Sequence, residues 1–411
     1  VSHYRGANPL LFAKRVDMGE IPKGLIFTKV TRCMMTSFQK KTYKQEMLDK
    51  KNLLKKDSLD RHSGAVSNFV FPSLNDSNND IIGVSGKEGI NRLLYQLKNN
   101  SDLLLKKVNK KFFKIKDYND ILYENETGKN LSGKIFKKEH LKHFSIKFHT
   151  LLENISKVVD GNKGSKTIFI YSNLVTIGIE LLREMLLQNG YLEFSSEKNY
   201  NINENTIDYR TGLKKKDFEK KHKNMSFNPA IFLTITGENE DDEVMSDEKK
   251  NILDKIFNNI DNKNGKNIKI ILGSKVMQEG ITLENVGEVH ILDTWYNFGI
   301  VHQVIGRAIR QCKHYNITND LNPNPEVKIF KYVSSIENGL SVEEKLYQKA
   351  ELKYILVKKV ERLLKEVSID CPVNFHGNIF PEEIKKNKNC VYPSKKTIGM
   401  SVDKQCPDIC D

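Results

Sequence analysis

Two arginines three residues apart, Arg307 and Arg310, close the string Gln303-Val304-Ile305-Gly306-Arg307-Ala308-Ile309-Arg310. Read as the start of a helix, the string puts both guanidiniums on one face. Two planar, permanently charged forks aimed at one spot suit a transferring γ-phosphoryl group, whose charge is spread over several oxygens. Gly306 lets another backbone come close, and Gln303 can hydrogen-bond a phosphate or a bridging water. Only ten of the 66 Lys+Arg side chains are arginine, so a pair at this spacing is a stronger signal than two lysines would be. About 25 residues upstream, Gly273-Ser274-Lys275-Val276-Met277-Gln278-Glu279-Gly280-Ile281-Thr282 leads from one β-type run to another. Small residues in such a loop expose backbone N–H groups to phosphate at the carboxyl edge of a sheet.

Other clusters carry no comparable chemistry. Gly161-Asn162-Lys163-Gly164-Ser165-Lys166-Thr167 puts Ser165 where a phosphate loop needs glycine, and it precedes a strand instead of following one. Gly83-Val84-Ser85-Gly86-Lys87-Glu88 fails at Glu88, which stands where Ser or Thr is needed. Asp241, Asp242 and Glu243 read as a solvated acidic turn. His140, His143 and His149 lack partners at metal-site spacing, and His290 and His302 read as packing or hydrogen-bonding residues. Cys390, Cys406 and Cys410 read as free thiols of the tail, with the start of a zinc cluster as the alternative. The lysine runs 106–116 and 214–223, which carry Phe112, Phe113 and Phe218, read as solvated faces before they read as nucleic-acid grooves.

These segments must be positioned by an α/β framework. Lys166–Tyr171, Ile231–Ile235, Ile268–Leu272, Val289–Leu292 and Val327–Val333 are short β-type runs, alternating with helical patterns at 145–158, 174–188, 246–259 and 299–311. That alternation predicts a parallel sheet with helices on both faces. Gly190 is placed as a helix stop. A long helix is expected from Ser341 to Val367, with a Ser341/Glu344 capping box and an apolar stripe at Leu352, Leu356, Val360, Leu363 and Val367. Residues 1–40 read as a connection. Residues 41–140 form a lysine-rich, largely helical insertion that packs on something else, with a loop near 73–80. The α/β domain spans 141–335, a helical extension spans 336–375, and 376–411 form a loose tail.

Composition sets the class. The 411 residues carry 66 Lys+Arg against 52 Asp+Glu, a net charge of +14. Lysine excess with abundant Asn and Ile suggests an AT-rich coding sequence, so an anionic partner, nucleic acid first, is only moderately favoured. Six cysteines are too few for a secreted disulfide scaffold and favour a reducing compartment. No apolar run reaches the roughly 18 residues that a membrane helix needs.

The strings from Gly273 to Thr282 and from Gln303 to Arg310 resemble motifs V and VI of superfamily 2 helicases and translocases. Phe169-Ile170-Tyr171-Ser172-Asn173 resembles motif IV. With Val289-His290-Ile291-Leu292-Asp293-Thr294-Trp295-Tyr296-Asn297, they are most similar to the large-DNA-virus branch: poxvirus-type nucleoside triphosphatase I and the early transcription factor small subunit. Weaker likeness lies in Val1–Gly6, Ser67–Pro72 and Ile369–Asn374. The resemblance implies the second RecA-like lobe of an ATP hydrolase using Mg²⁺, with Arg307 and Arg310 as arginine fingers. It implies Gln303, Gly306, Gly280, Thr282 and Glu279 at the nucleotide, and Ser172, Asn173, Ser274 and Lys275 at nucleic acid, DNA before RNA. Thr282 departs from the family, in which many members place an Asp that grips the ribose. The phosphate loop and Mg²⁺ ligands are expected in a first lobe outside this chain. A viral RNA polymerase as partner, and virion and viral-factory localisation, are further implications. The rival reading is a non-catalytic scaffold subunit of a transcription complex.

Overall fold

The computed structural model describes residues 13–51, 64–158, 167–237, 245–277, 280–310, 312–318 and 325–366. Its strands are β1 (Lys14–Asp17), β2 (Thr31–Met34), β3 (Phe71–Leu74), β4 (Ile81–Val84), β5 (Tyr123–Glu124), β6 (Leu131–Ser132), β7 (Thr167–Tyr171), β8 (Leu192–Glu193), β9 (Ile231–Ile235), β10 (Ile270–Gly273), β11 (Val286–Ile291) and β12 (Glu326–Ser335). The central sheet runs β1-β12-β11-β7-β10-β9-β8, and β2 pairs with the far end of β12. Every pairing in it is parallel. β7, β10 and β11 are buried along their whole length, as strands covered on both faces must be.

Alternation along the strands divides two cores. Ile168, Ile170 and Leu272 point to one face, where the helices Ile146–Val158 and Glu180–Gln188 pack. Phe169, Tyr171 and Ile271 point to the other, under the helix Phe298–Ala308 and the start of Val342–Glu366. This is the parallel sheet with helices on both faces that the sequence pattern predicts, as the resemblance to a RecA-like lobe also implies. The insertion is helical at Ser37–Lys51, Gly86–Asn99 and Ser101–Val108 and adds two small antiparallel hairpins, β3-β4 and β5-β6. Its Phe69, Phe71, Leu93 and Leu104 join the same cluster as Ile168, so the insertion is an extra layer on the sheet.

Residues 1–40 need a correction. Their described part is more than a connection, because β1 and β2 extend the sheet along β12. Polar four-residue strands such as Lys14-Arg15-Val16-Asp17 carry no apolar run, and only pairing with the ten-residue β12 defines them. The segment is also tied to the C-terminal helix. Buried Glu351 accepts hydrogen bonds from the backbone N–H of Ile26, Phe27 and Thr28 at 2.7, 3.0 and 2.7 Å. The expected capping box forms: Glu344 N–H donates to Ser341 Oγ at 3.2 Å, and Ser341 N–H donates to Glu344 Oε2 at 2.7 Å. No helix among the described residues is long and apolar enough to cross a membrane.

Candidate nucleotide and nucleic-acid site

The helix carrying the arginine string starts at Asn297, whose side chain accepts from Gly299 N–H at 2.8 Å. It ends at Ala308, earlier than the sequence pattern predicts. Ile309 is extended (φ −112°, ψ 90°), so Arg310 lies beyond the helix and does not share a helical face with Arg307. The cause is tertiary. Asn285 N–H bonds Lys313 C=O at 3.0 Å and Lys313 pairs with Glu284 at 2.8 Å, which draws the chain towards β11. Cys312 takes up the turn at φ +61°.

The two guanidiniums nevertheless reach one loop. Arg310 Nη1 donates to Thr282 Oγ1, and Arg307 Nη1 donates to Ile281 C=O at 3.4 Å. Leu283 N–H closes the arrangement on Arg307 C=O at 3.0 Å. Asn258 braces the loop from behind: its side chain donates to Thr282 C=O at 2.9 Å and accepts from Glu284 N–H at 2.9 Å. Gly280 sits at φ +70°, a conformation that suits glycine, and a Cβ at Gly280 or Gly306 would meet no atom within 4 Å. Gln303 is exposed, while Gly306, Arg307 and Arg310 are half-buried. The face around the arginines is therefore open and cationic, and it suits an anionic ligand. Glu279 lies outside the described residues, as do Asp241–Glu243, most of the 161–167 segment and the tail cysteines.

The hydroxyls expected to meet nucleic acid are in the interior. Ser172 is fully buried and donates to Asp293 Oδ2 at 2.6 Å. That carboxylate oxygen also accepts from the N–H of Asn173 at 2.6 Å and Leu174 at 3.4 Å, capping the turn. Gly178 makes this possible, since a Cβ there would stand 2.1 Å from Ser172 Oγ. Ser274 is buried too, its backbone bound to Ile235 C=O and Met277 N–H. Both residues directly follow buried strands and are held by partners distant in sequence, Asp293 for Ser172 and Ile235 for Ser274, which a sequence string does not reveal. Asn173 and Lys275 are half-buried on the same loops and remain the members that can face a ligand.

Behind this edge lies a buried polar network that sequence reading missed. Asp293 Oδ1 accepts from Asn68 Nδ2 at 3.0 Å. Lys147 Nζ, fully buried, donates to Asn68 Oδ1 at 2.9 Å, Leu292 C=O at 3.0 Å and Glu343 Oε1 at 2.6 Å. Burial pushes the Glu343 carboxyl up, while Lys147 pulls it down. The one available signal was a lysine four residues before Leu151 on an apolar helix face. On the far side of the arginine helix, Phe27, Phe298, His302 and Tyr354 line a cavity of about 440 Å³ with Arg15 and Lys331, both paired with Asp17. No group of three or more His, Cys, Asp or Glu side chains that could hold a metal ion occurs among the described residues.

With the sheet order and the converging arginines in place, comparison with known proteins is decisive. Residues 214–312 match the family described as Helicase conserved C-terminal domain. This chain carries a C-terminal lobe of the superfamily 2 helicase kind. The helicase lobe is 47% identical over 424 aligned residues to a protein of Acanthamoeba polyphaga mimivirus named as an ATP-dependent RNA helicase, covering 100% of this chain and 35% of that protein. It is 34% identical over 128 residues to nucleoside triphosphatase I of Heliothis armigera entomopoxvirus (31% and 19%). It is 27% identical over 232 residues to an early transcription factor large subunit homologue of African swine fever virus (56% and 19%). That relative is a large subunit, whereas the sequence reading looked to the small one. The chain spans about a third or less of the length of these three relatives.

Proposed function

We propose that this lobe is half of a composite ATPase site in a viral nucleic-acid translocase that acts in transcription. The observation that carries the reading is the convergence of Arg307 and Arg310, from a helix end and the loop after it, on the backbone and hydroxyl of Ile281 and Thr282. Closure of a first lobe onto this face brings both guanidiniums to the γ-phosphate of ATP, where fixed charge favours the transition state over the ground state. Thr282 holds Arg310 in place. A neutral hydroxyl does this without quenching the arginine's charge, as an aspartate would. Gln303, Gly306 and Gly280 line the nucleotide, and Mg²⁺ ligands would come from the first lobe, where the metal would balance phosphate charge. Asn173 and Lys275 contact nucleic acid, and buried Ser172 and Ser274 hold their loops.

The viral relatives support a place in the viral factory and virion beside a viral RNA polymerase. DNA is the expected track, and because the mimivirus relative's name says RNA, both are assayed. Arg307→Ala and Arg310→Ala in the complete protein should each lower nucleic-acid-stimulated hydrolysis by about 10³-fold, the lower end of the arginine-finger range. Lysine should rescue neither fully, because a point charge cannot span two oxygens. Turnover within about twofold of the parent, with unchanged thermal unfolding, would leave the scaffold reading in its place.

A further inference from the structure

Three segments far apart in sequence meet on the insertion. Thr36, one residue before the helix Ser37–Lys51, donates its hydroxyl to Lys142 C=O at 3.1 Å. Phe38 meets Phe112 edge-on at 4.9 Å between centroids, and Phe112 meets the His143 ring at 5.8 Å. Over this ridge stands Lys111, its Nζ 5.1 Å from the Phe38 centroid and 5.4 Å from that of Phe112. Lys41 lies close enough to repel Lys111, and Lys142 close enough to repel His143. Lys41, Lys111 and Lys142 are all exposed. Neither Lys41 nor Lys142 has an ion-pair partner among the described residues. The acids nearby are Asp80, beside Lys111 and Lys107, Glu139, beside His140, Glu153, beside His149, and Glu337, which pairs with Lys40.

The ridge belongs to the core on the sheet face opposite the arginine helix. It is therefore a separate surface from the ATP-facing loops. Lysine excess from codon usage would scatter cations among the 52 acids, whereas here exposed lysines from three segments share one ridge, with Lys111 fixed by a hydrogen bond to Ile81 C=O at 3.1 Å. The ring faces are already taken by Lys111 and by one another. Single-strand binding relies on open aromatic platforms for bases. What this surface offers outward is charge alone, which fits the regular, dense phosphates of a duplex.

We propose that the Lys41–Lys111–Lys142 face of the insertion is a second nucleic-acid surface that grips the phosphate backbone of a duplex. It deepens the translocase reading by placing a sequence-independent grip on the far side of the lobe from the nucleotide. The test uses the 411-residue chain and a fluorescent duplex of about 20 base pairs, with affinity measured by anisotropy between roughly 50 and 200 mM salt. Lys41→Glu/Lys142→Glu is compared with Lys255→Glu/Lys266→Glu, an equal charge change at exposed lysines elsewhere. At about 0.9 per phosphate contact, the ridge pair should flatten the slope of log K against log salt by about 1.8, and the control pair by far less. A single strand of the same length should respond less than the duplex. Equal effects from both pairs, an unchanged slope, a response confined to the single strand, or a parent chain that ignores duplex would each overturn the surface. If the glutamate pair melts early, Lys41→Gln/Lys142→Gln reads the same slope at about half the charge change. The arginine variants report on a different face, so either proposal can fail alone.

Discussion

At the residue scale, a few buried side chains do most of the positioning. Lys147 and Glu343 are an ion pair sealed from solvent at 2.6 Å, joined through Asn68 to Asp293 and so to the turn at Ser172–Leu174. Removing one partner of such a pair leaves an uncompensated charge, which costs more than the pair contributes. Lys147→Met should therefore destabilise the chain by about 3–5 kcal/mol in urea unfolding, and Lys147→Met/Glu343→Leu by distinctly less. A single variant within about 1 kcal/mol of the parent would mean that the network does not hold this edge together. Gly178→Ala tests the same edge from outside. Its Cβ must displace Ser172 Oγ, so the turn should loosen and amide exchange at Asn173 and Leu174 should speed up.

At the scale of elements, strand pairing and the two apolar cores are supplemented by buried carboxylates that accept backbone N–H groups. Glu351 fastens the loop 26–28 to the C-terminal helix with three such bonds, and this loop connects β1 to β2. Glu351→Ala leaves three donors without their charged acceptor. It should lower stability by about 3 kcal/mol or more and expose the 13–35 segment to protease, because hydrogen bonds to charged groups are worth about 1.5–3 kcal/mol each. Glu351→Gln keeps one acceptor oxygen and should recover part of the loss. Unchanged proteolysis of Glu351→Ala would show that β1 and β2 hold by strand pairing alone. A different pair of bonds accompanies the early end of the arginine helix, where the Lys313 carbonyl accepts from Asn285 N–H and its ammonium pairs with Glu284.

For the whole molecule, histidine burial sets an acid limit. His140, His143, His149, His302 and His314 all lie below the ordinary value of 6.5, in each case first because burial disfavours the charged ring. For His314 the hydrogen bond to Val286 C=O works the other way, and its Nδ1 is buried without a partner. A lowered folded value means that the unfolded chain binds more protons near neutrality. This stability is complete above the unfolded value of 6.5 and is lost as pH falls through the folded values. Melting temperature should hold above about pH 7 and fall as pH drops below about 6.5, and His314→Gln should make that fall shallower. A flat profile over this range would mean that these rings gain protons without cost.

The α/β class, the succession of the main strands along the chain and the helix stop before Gly190 could be read in the sequence, because β-branched runs and helical spacing are local properties that this fold obeys. The arginine string was legible too, since its residue types are rare in this chain and chemically specific. Tertiary structure decided the rest. β1, β2 and β8 are short strands that exist through pairing with longer neighbours. Ser172 and Ser274 are buried against partners distant in sequence, Asp293 and Ile235, and an isolated hydroxyl reads alike whether buried or exposed. Arg310 left the helix, yet still met Arg307 at the 281–282 loop, because contacts from the 312–314 segment steer the backbone. The Asp293–Asn68–Lys147–Glu343 network joins residues up to 275 positions apart, a span no local pattern encodes. The sheet and the shared core bring them together.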